Sequence, residues 1–161
     1  MEDINKDVLE FHPKAMQFVV NEYPCILLLG IGVFCRGIEG FPFIKLLEAG
    51  CLLLILYLIY QWIFLLRSRF IVTDEQLIHR YGVFTRQADY IELYRVVDFK
   101  EHSSFLQQLA GLKTVIVYSG DRTHTCLKIP GLEQNFRLVD YIRERVERNK
   151  RRKGIYEITN R

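Results

Sequence analysis

At 161 residues with a formal net charge of +3, the chain has room for one small domain and is too weakly basic for a dedicated nucleic-acid binder. Its apolar residues are concentrated rather than spread: from Tyr23 to Leu66 the only acids and bases other than tyrosine and cysteine are Arg36, Glu39, Lys45 and Glu48. Cys25, Cys35, Cys51 and Cys126 have neither zinc-ligand nor disulfide-framework spacing, so they read as small apolar fillers in a reducing compartment.

Residues 1–17 read as a cytoplasmic N-terminal segment. A membrane anchor is expected over residues 18–66, with spans at about 18–35 and 46–66. In the second span, Leu46 to Leu66, Glu48 is the sole charge among 21 residues, and at ~1.5 Å per helical residue the helix reaches roughly 31 Å, the thickness of a bilayer core. Tyr57, Tyr60 and Trp62 followed by Arg67 and Arg69 have the pattern of an interfacial belt and stop. A buried helix of a soluble protein is the competing reading, but so short a chain could hardly hide so wide an apolar cylinder. The first span is weaker. Tyr23 to Cys35 is purely apolar, and reaching back to Phe18 takes in Asn21 and Glu22, so it spans with tilt or thinning, or else lies in the interface. Gly37, Gly40 and Pro42 supply the turn of a helical hairpin. Glu48 is costly at this depth, and Lys45 on the same helical face is its expected partner, with snorkelling toward the interface. Arg67, Arg69, Arg80 and Arg86 follow the second span. The connection holds only Arg36 and Lys45, and the N-terminal segment Lys6 and Lys14, so the expected location is the cytoplasmic (inner) membrane, multi-pass, with both termini cytoplasmic. No signal-peptide pattern is present at the start.

From Arg69 the periodicity becomes that of strands: RFIVT, QLIHRYG, FTRQADYIEL, RVVDFKEH, TVIVYSG and CLKIP, rich in β-branched and aromatic residues. Thr73-Asp74-Glu75, Tyr81-Gly82 and Ser119-Gly120-Asp121 are turn chemistry between them. Ser103 to Leu112 suggests a short helix with a serine N-cap. Pro130-Gly131 is expected to end the last strand, after which Leu132, Phe136, Val139, Ile142 and Val146 mark one face of an amphipathic helix. The expected fold class is α+β: a transmembrane hairpin, then an antiparallel β domain over residues 67–148 with a C-terminal amphipathic helix as its cover, then a basic tail at 149–161.

Four local patterns carry a family resemblance. They are the turn entry Thr73, Asp74, Glu75, Leu77; the strand end Arg80, Gly82; the segment Ile91, Leu93, Arg95, Val96, Asp98; and Leu109, Gly111, Leu112, Thr114, Val115. In this order after a hairpin, they resemble the bacterial pleckstrin-homology (PH) domains that follow a transmembrane hairpin, over about residues 16–148. The resemblance implies a curved PH-like sheet closed by a helix, and a binding or scaffolding role rather than catalysis. Phosphoinositide recognition does not carry over, because the loop compared, Thr73 to Gln76, is acidic.

Enzymatic chemistry finds little purchase. His12, His79, His102 and His124 lack metal-motif spacing, and neither a phosphate loop nor a nucleophile elbow occurs. His102 and His124 could meet across the sheet, but read as strand-end residues. Asp98, Asp121, Arg95 and Arg122 read as turn and cross-strand pairs before they read as a ligand site. No cofactor is expected. Arg143 to Lys153 holds seven basic and two acidic residues. Arg145, Arg148, Lys150, Arg151, Arg152 and Lys153 are therefore candidates for holding the domain against anionic headgroups, the alternative being a helix end whose cations complement the dipole. The expected function is a non-enzymatic, membrane-anchored adaptor or scaffold. Its partners would be the bilayer, an unidentified protein and further copies of itself as a homo-oligomer, with no nucleic acid. The alternative is an oligomeric pore in which Glu48, Arg36 and Glu39 face a lumen or one another.

Overall fold

The computed structural model describes residues 8–37, 43–121 and 125–154. It begins with a strand, β1 (Leu9–Phe11), that lies before the apolar helices α1 (Met16–Arg36) and α2 (Ile44–Arg67). Both helices are long and apolar enough to cross a membrane, and only 6% of the apolar window of each is buried, where a core helix of a soluble domain would be covered. They approach closely at Gly32. A Cβ on Gly32 would stand 2.6 Å from Cys51 Sγ, so glycine is what permits the approach. Gly40, Pro42 and Glu39 of the expected turn lie outside the described residues.

Among the described residues the β domain has seven strands in two antiparallel sheets. The first runs β1, β2 (Arg69–Val72), β3 (Gln76–Tyr81), β4 (Gln87–Glu92); the second runs β5 (Val96–His102), β6 (Leu112–Ser119), β7 (Cys126–Glu133). Alternation along β2 and β3 drives Phe70, Val72 and Leu77 inward, where they meet Ile91, Val115, Val117 and Ile129 in one core. The fold is thus α+β as expected, with one strand more than the six-stranded sheet that was expected. The short helix α3 (Phe105–Leu109) is fixed by a capping box: Ser104 accepts from the Gln107 backbone N–H, and the Gln107 side chain accepts from that of Ser104. The last helix, α4 (Leu138–Arg152), closes the core with Leu138, Ile142 and Val146.

Two boundaries differ from expectation. Pro130-Gly131 does not end the last strand: β7 continues to Glu133, and Leu132 is a buried strand residue opposite Lys113. Because β7 is an edge strand with an irregular register at this point, the missing proline N–H costs no ladder bond. The helix consequently begins at Leu138 and buries Arg145 and Asn149, while Phe136 and Val139 are only partly covered.

Candidate functional site

Two ends of the domain differ in character. At the hairpin end, β1 pairs with β2 across the whole hairpin, Phe11 opposite Phe70, so the chain leaves the sheet into α1 and re-enters it from α2. The mount is reinforced. Lys14 N–H donates to the Gly131 carbonyl at 2.9 Å, and the buried Gln107 amide donates to Gln17 Oε1 at 2.9 Å and Thr114 Oγ1 at 2.7 Å. On the other side Arg67 Nη1 donates to the Val83 carbonyl at 3.1 Å, drawing the β3–β4 loop onto the end of α2.

That loop carries Phe84, 89% exposed except where its ring stacks on Tyr60 of α2 at 6.2 Å. Beside it opens a cleft of about 600 Å³ lined by Arg67, Arg69, Arg80 and Arg86, with Tyr90 and Gln87 on its wall. The β2–β3 register sets Arg69 directly opposite Arg80 on one face of the sheet, and like charges so placed repel. Glu10 of β1 stands 3.4 Å from Arg69, and Asp89 hydrogen-bonds Tyr81 of the cleft wall; among the described residues no acidic side chain itself lines the cleft. The core-facing side of the same strands holds His79, whose ring lies parallel to Phe70 at 4.3 Å and accepts or donates to Ser68 Oγ at 3.0 Å. Burial pushes its pKa below the ordinary 6.5, and the facing Asp89 carboxylate offsets part of that.

The opposite end holds the basic residues proposed from sequence. Asn149 donates to the Asp74 carbonyl, tying the last turns of α4 to the β2–β3 turn, at the far end of β2 from α2. Arg145 is corrected as a surface residue: it is 5% exposed, with its guanidinium 3.7 Å from the Tyr141 ring centre and its Nε 3.7 Å from Asp74 Oδ1. Arg148 pairs with Glu144 at 3.0 Å, Arg151 approaches Glu147 at 3.9 Å, and Lys153 Nζ lies 3.7 Å from the Tyr94 ring centre. Arg152 is exposed and Lys150 half-buried. The segment therefore does not share a face with the hairpin. The reason is topological: β2 leads away from α2, and α4 terminates where β2 ends.

The remaining candidates separate as well. Glu48 pairs with Arg36 of α1, Oε1 to Nε 3.1 Å, in place of the expected Lys45, because hairpin closure brings the end of α1 beside the start of α2. Arg95 bridges Glu92 and Asp121, each at 3.3 Å, while Asp98 accepts from the Phe99 N–H at 2.7 Å; Arg122 and His124 lie outside the described residues. Among the described residues no group of three His, Cys, Asp or Glu side chains is placed to hold a metal ion. In the sequence the four arginines read as orientation signals, with Arg67 and Arg69 also a stop and Arg80 also part of a strand-end pattern, and not as one site. Their convergence could have been found by counting back from the Thr73–Gln76 turn, which pairs residue 72 with 77 and hence 69 with 80.

A two-sheet antiparallel domain closed by one C-terminal helix and mounted at the base of an apolar helical hairpin is a β-module of the PH type. The chain belongs to the bacterial PH domain family, whose model matches residues 26–146. The match starts within α1 and so leaves β1 outside it. No curated protein matches the chain, and no solved structure does. Membership in this family suggests a binding or scaffold role.

Proposed function

We propose that the protein is a non-enzymatic adaptor anchored in the cytoplasmic membrane, which presents its PH-like domain in a fixed pose to a protein partner or to a second copy. The observation that carries this reading is the β1–β2 pairing across the hairpin, which makes anchor and domain one body rather than a domain on a leash. Pairing also requires both ends of the hairpin to lie on one side of the bilayer, as two spans demand. The arginines that follow α2 argue for the cytoplasmic side. A rigid mount suits a recruitment platform, because orientation freedom lost in advance is not lost again on binding.

The test is purification of the full-length chain in mild detergent, with the mass of the intact complex determined. A defined assembly of identical copies or a stoichiometric second protein supports the reading, and a bare monomer at every detergent concentration that preserves the fold overturns it. A pore draws less support, since Glu48 finds its counter-charge within its own hairpin.

A further inference from the structure

We propose that the cleft formed by Arg67, Arg69, Arg80 and Arg86 binds the phosphate of an anionic phospholipid headgroup, with Phe84 inserted into the same leaflet beside α2. The proposal rests on the membrane-spanning reading of the hairpin.

Depth is the first support. Tyr60, on which Phe84 stacks, lies two turns before Arg67, about 10 Å back along the helix toward the bilayer centre. Phe84 is thus level with the aromatic belt of Tyr60 and Trp62, where an exposed aromatic ring is at home. The other flank of the hairpin shows the same pattern. On α3, Phe105 and Leu109 are 74% and 72% exposed, and a shallow gap lined by Leu106, Leu109, Met16 and Tyr23 separates α3 from the first turns of α1. That gap borders the turns of α1 whose Phe18 packs on Trp62 at 5.1 Å, so apolar groups on both flanks of the hairpin seat the domain on the lipid surface, which puts the arginine cleft at headgroup level.

Charge is the second support. Arg69 and Arg80 are held directly opposite by strand register, with Arg67 at the helix end and Arg86 across the loop, so the cleft concentrates like charge. The nearby Glu10 offsets one arginine of the four. Arg80 and Arg86 have no ion pair among the described residues. A phosphate would relieve the repulsion and accept the guanidinium donors in the geometry they favour. Gly82, at φ +116° with no space for a Cβ, holds the loop so that Phe84 and Arg86 stay at the cleft's margin.

The experiment uses the full-length protein in detergent, with native mass spectrometry reading retention of phosphatidylglycerol against phosphatidylcholine. Wild type should retain the anionic lipid preferentially. Arg80→Gln/Arg86→Gln should lose roughly fivefold per arginine, the factor one basic residue near an anionic surface contributes, while Arg151→Gln/Arg152→Gln should retain it as wild type does. The double cleft variant should also unfold at a higher temperature than wild type in zwitterionic micelles, since repulsion is removed. Unchanged retention in the cleft variant, or an equal loss in the tail variant, overturns the proposal. Displacement of the lipid by millimolar inorganic phosphate also overturns it, in favour of a soluble anion. Flotation of both variants with phosphatidylcholine vesicles reads the anchor separately, so a failed hairpin is not mistaken for a failed cleft.

Discussion

At φ +116°, Gly82 turns the chain so that a Cβ there would lie 1.9 Å from the Thr85 carbonyl oxygen, a backbone atom that cannot step aside. Gly82→Ala is expected to cost about 2–3 kcal/mol, from strain at a left-handed position and from rebuilding of the loop. A lowered thermal midpoint of the full chain in detergent checks this. His79 gives a pH dependence. Its folded pKa is depressed by burial, so the unfolded chain takes up a proton at higher pH than the folded one does. The stability it contributes is full above pH 6.5 and is lost as pH falls through the lower folded value. Acidification from neutral should therefore lower the unfolding midpoint of wild type more than that of His79→Phe. Parallel pH profiles for the two proteins would show that the imidazole is not responsible.

Among the elements, the α1–α2 contact has a specific chemical signature. Because a Cβ on Gly32 would stand 2.6 Å from Cys51 Sγ, Gly32→Cys brings a second sulfur within bonding reach. Mild oxidation should yield an intramolecular disulfide, visible as a faster-migrating band that a reductant reverses, and absent when Cys51 is also replaced by Ala. α4 shows why amphipathic spacing alone misplaces a boundary. Leu132 and Phe136 continue the helical repeat in sequence, yet Leu132 is held in β7 by its pairing with Lys113. Arg145 and Asn149 occupy the buried face further on because Tyr141 and the β2–β3 turn receive them.

On the scale of the whole molecule, the domain is completed by residues on both sides of the hairpin. Phe11 of β1 stacks on Phe70 at 5.6 Å and meets Phe136 edge-on at 5.7 Å, linking the N-terminal segment to the first sheet and to the approach to α4. Phe11→Ala should cost about 2–4 kcal/mol, short of a fully buried phenylalanine because Phe11 is partly exposed. Heat unfolding, with limited proteolysis of the N-terminal segment as a second readout, checks both the loss and the release of β1. Resistance to proteolysis equal to wild type would show that the strand is held by its backbone alone.

The sequence by itself determined the elements whose physics is local: the two long apolar helices, the alternation of β2 and β3, the turn at Thr73 to Gln76, and the serine cap of α3. From them, with the order of the motifs, the family was legible too. Tertiary structure alone decided that residues 9–11 form a strand. Three residues have no stability as a strand until residues 70–72, some sixty positions away, supply their partners. It also decided which acid neutralises Arg36, that Arg145 is buried, and that four arginines scattered over residues 67–86 line one cleft. Charges interact through space, and only hairpin closure and strand register set the distances between them.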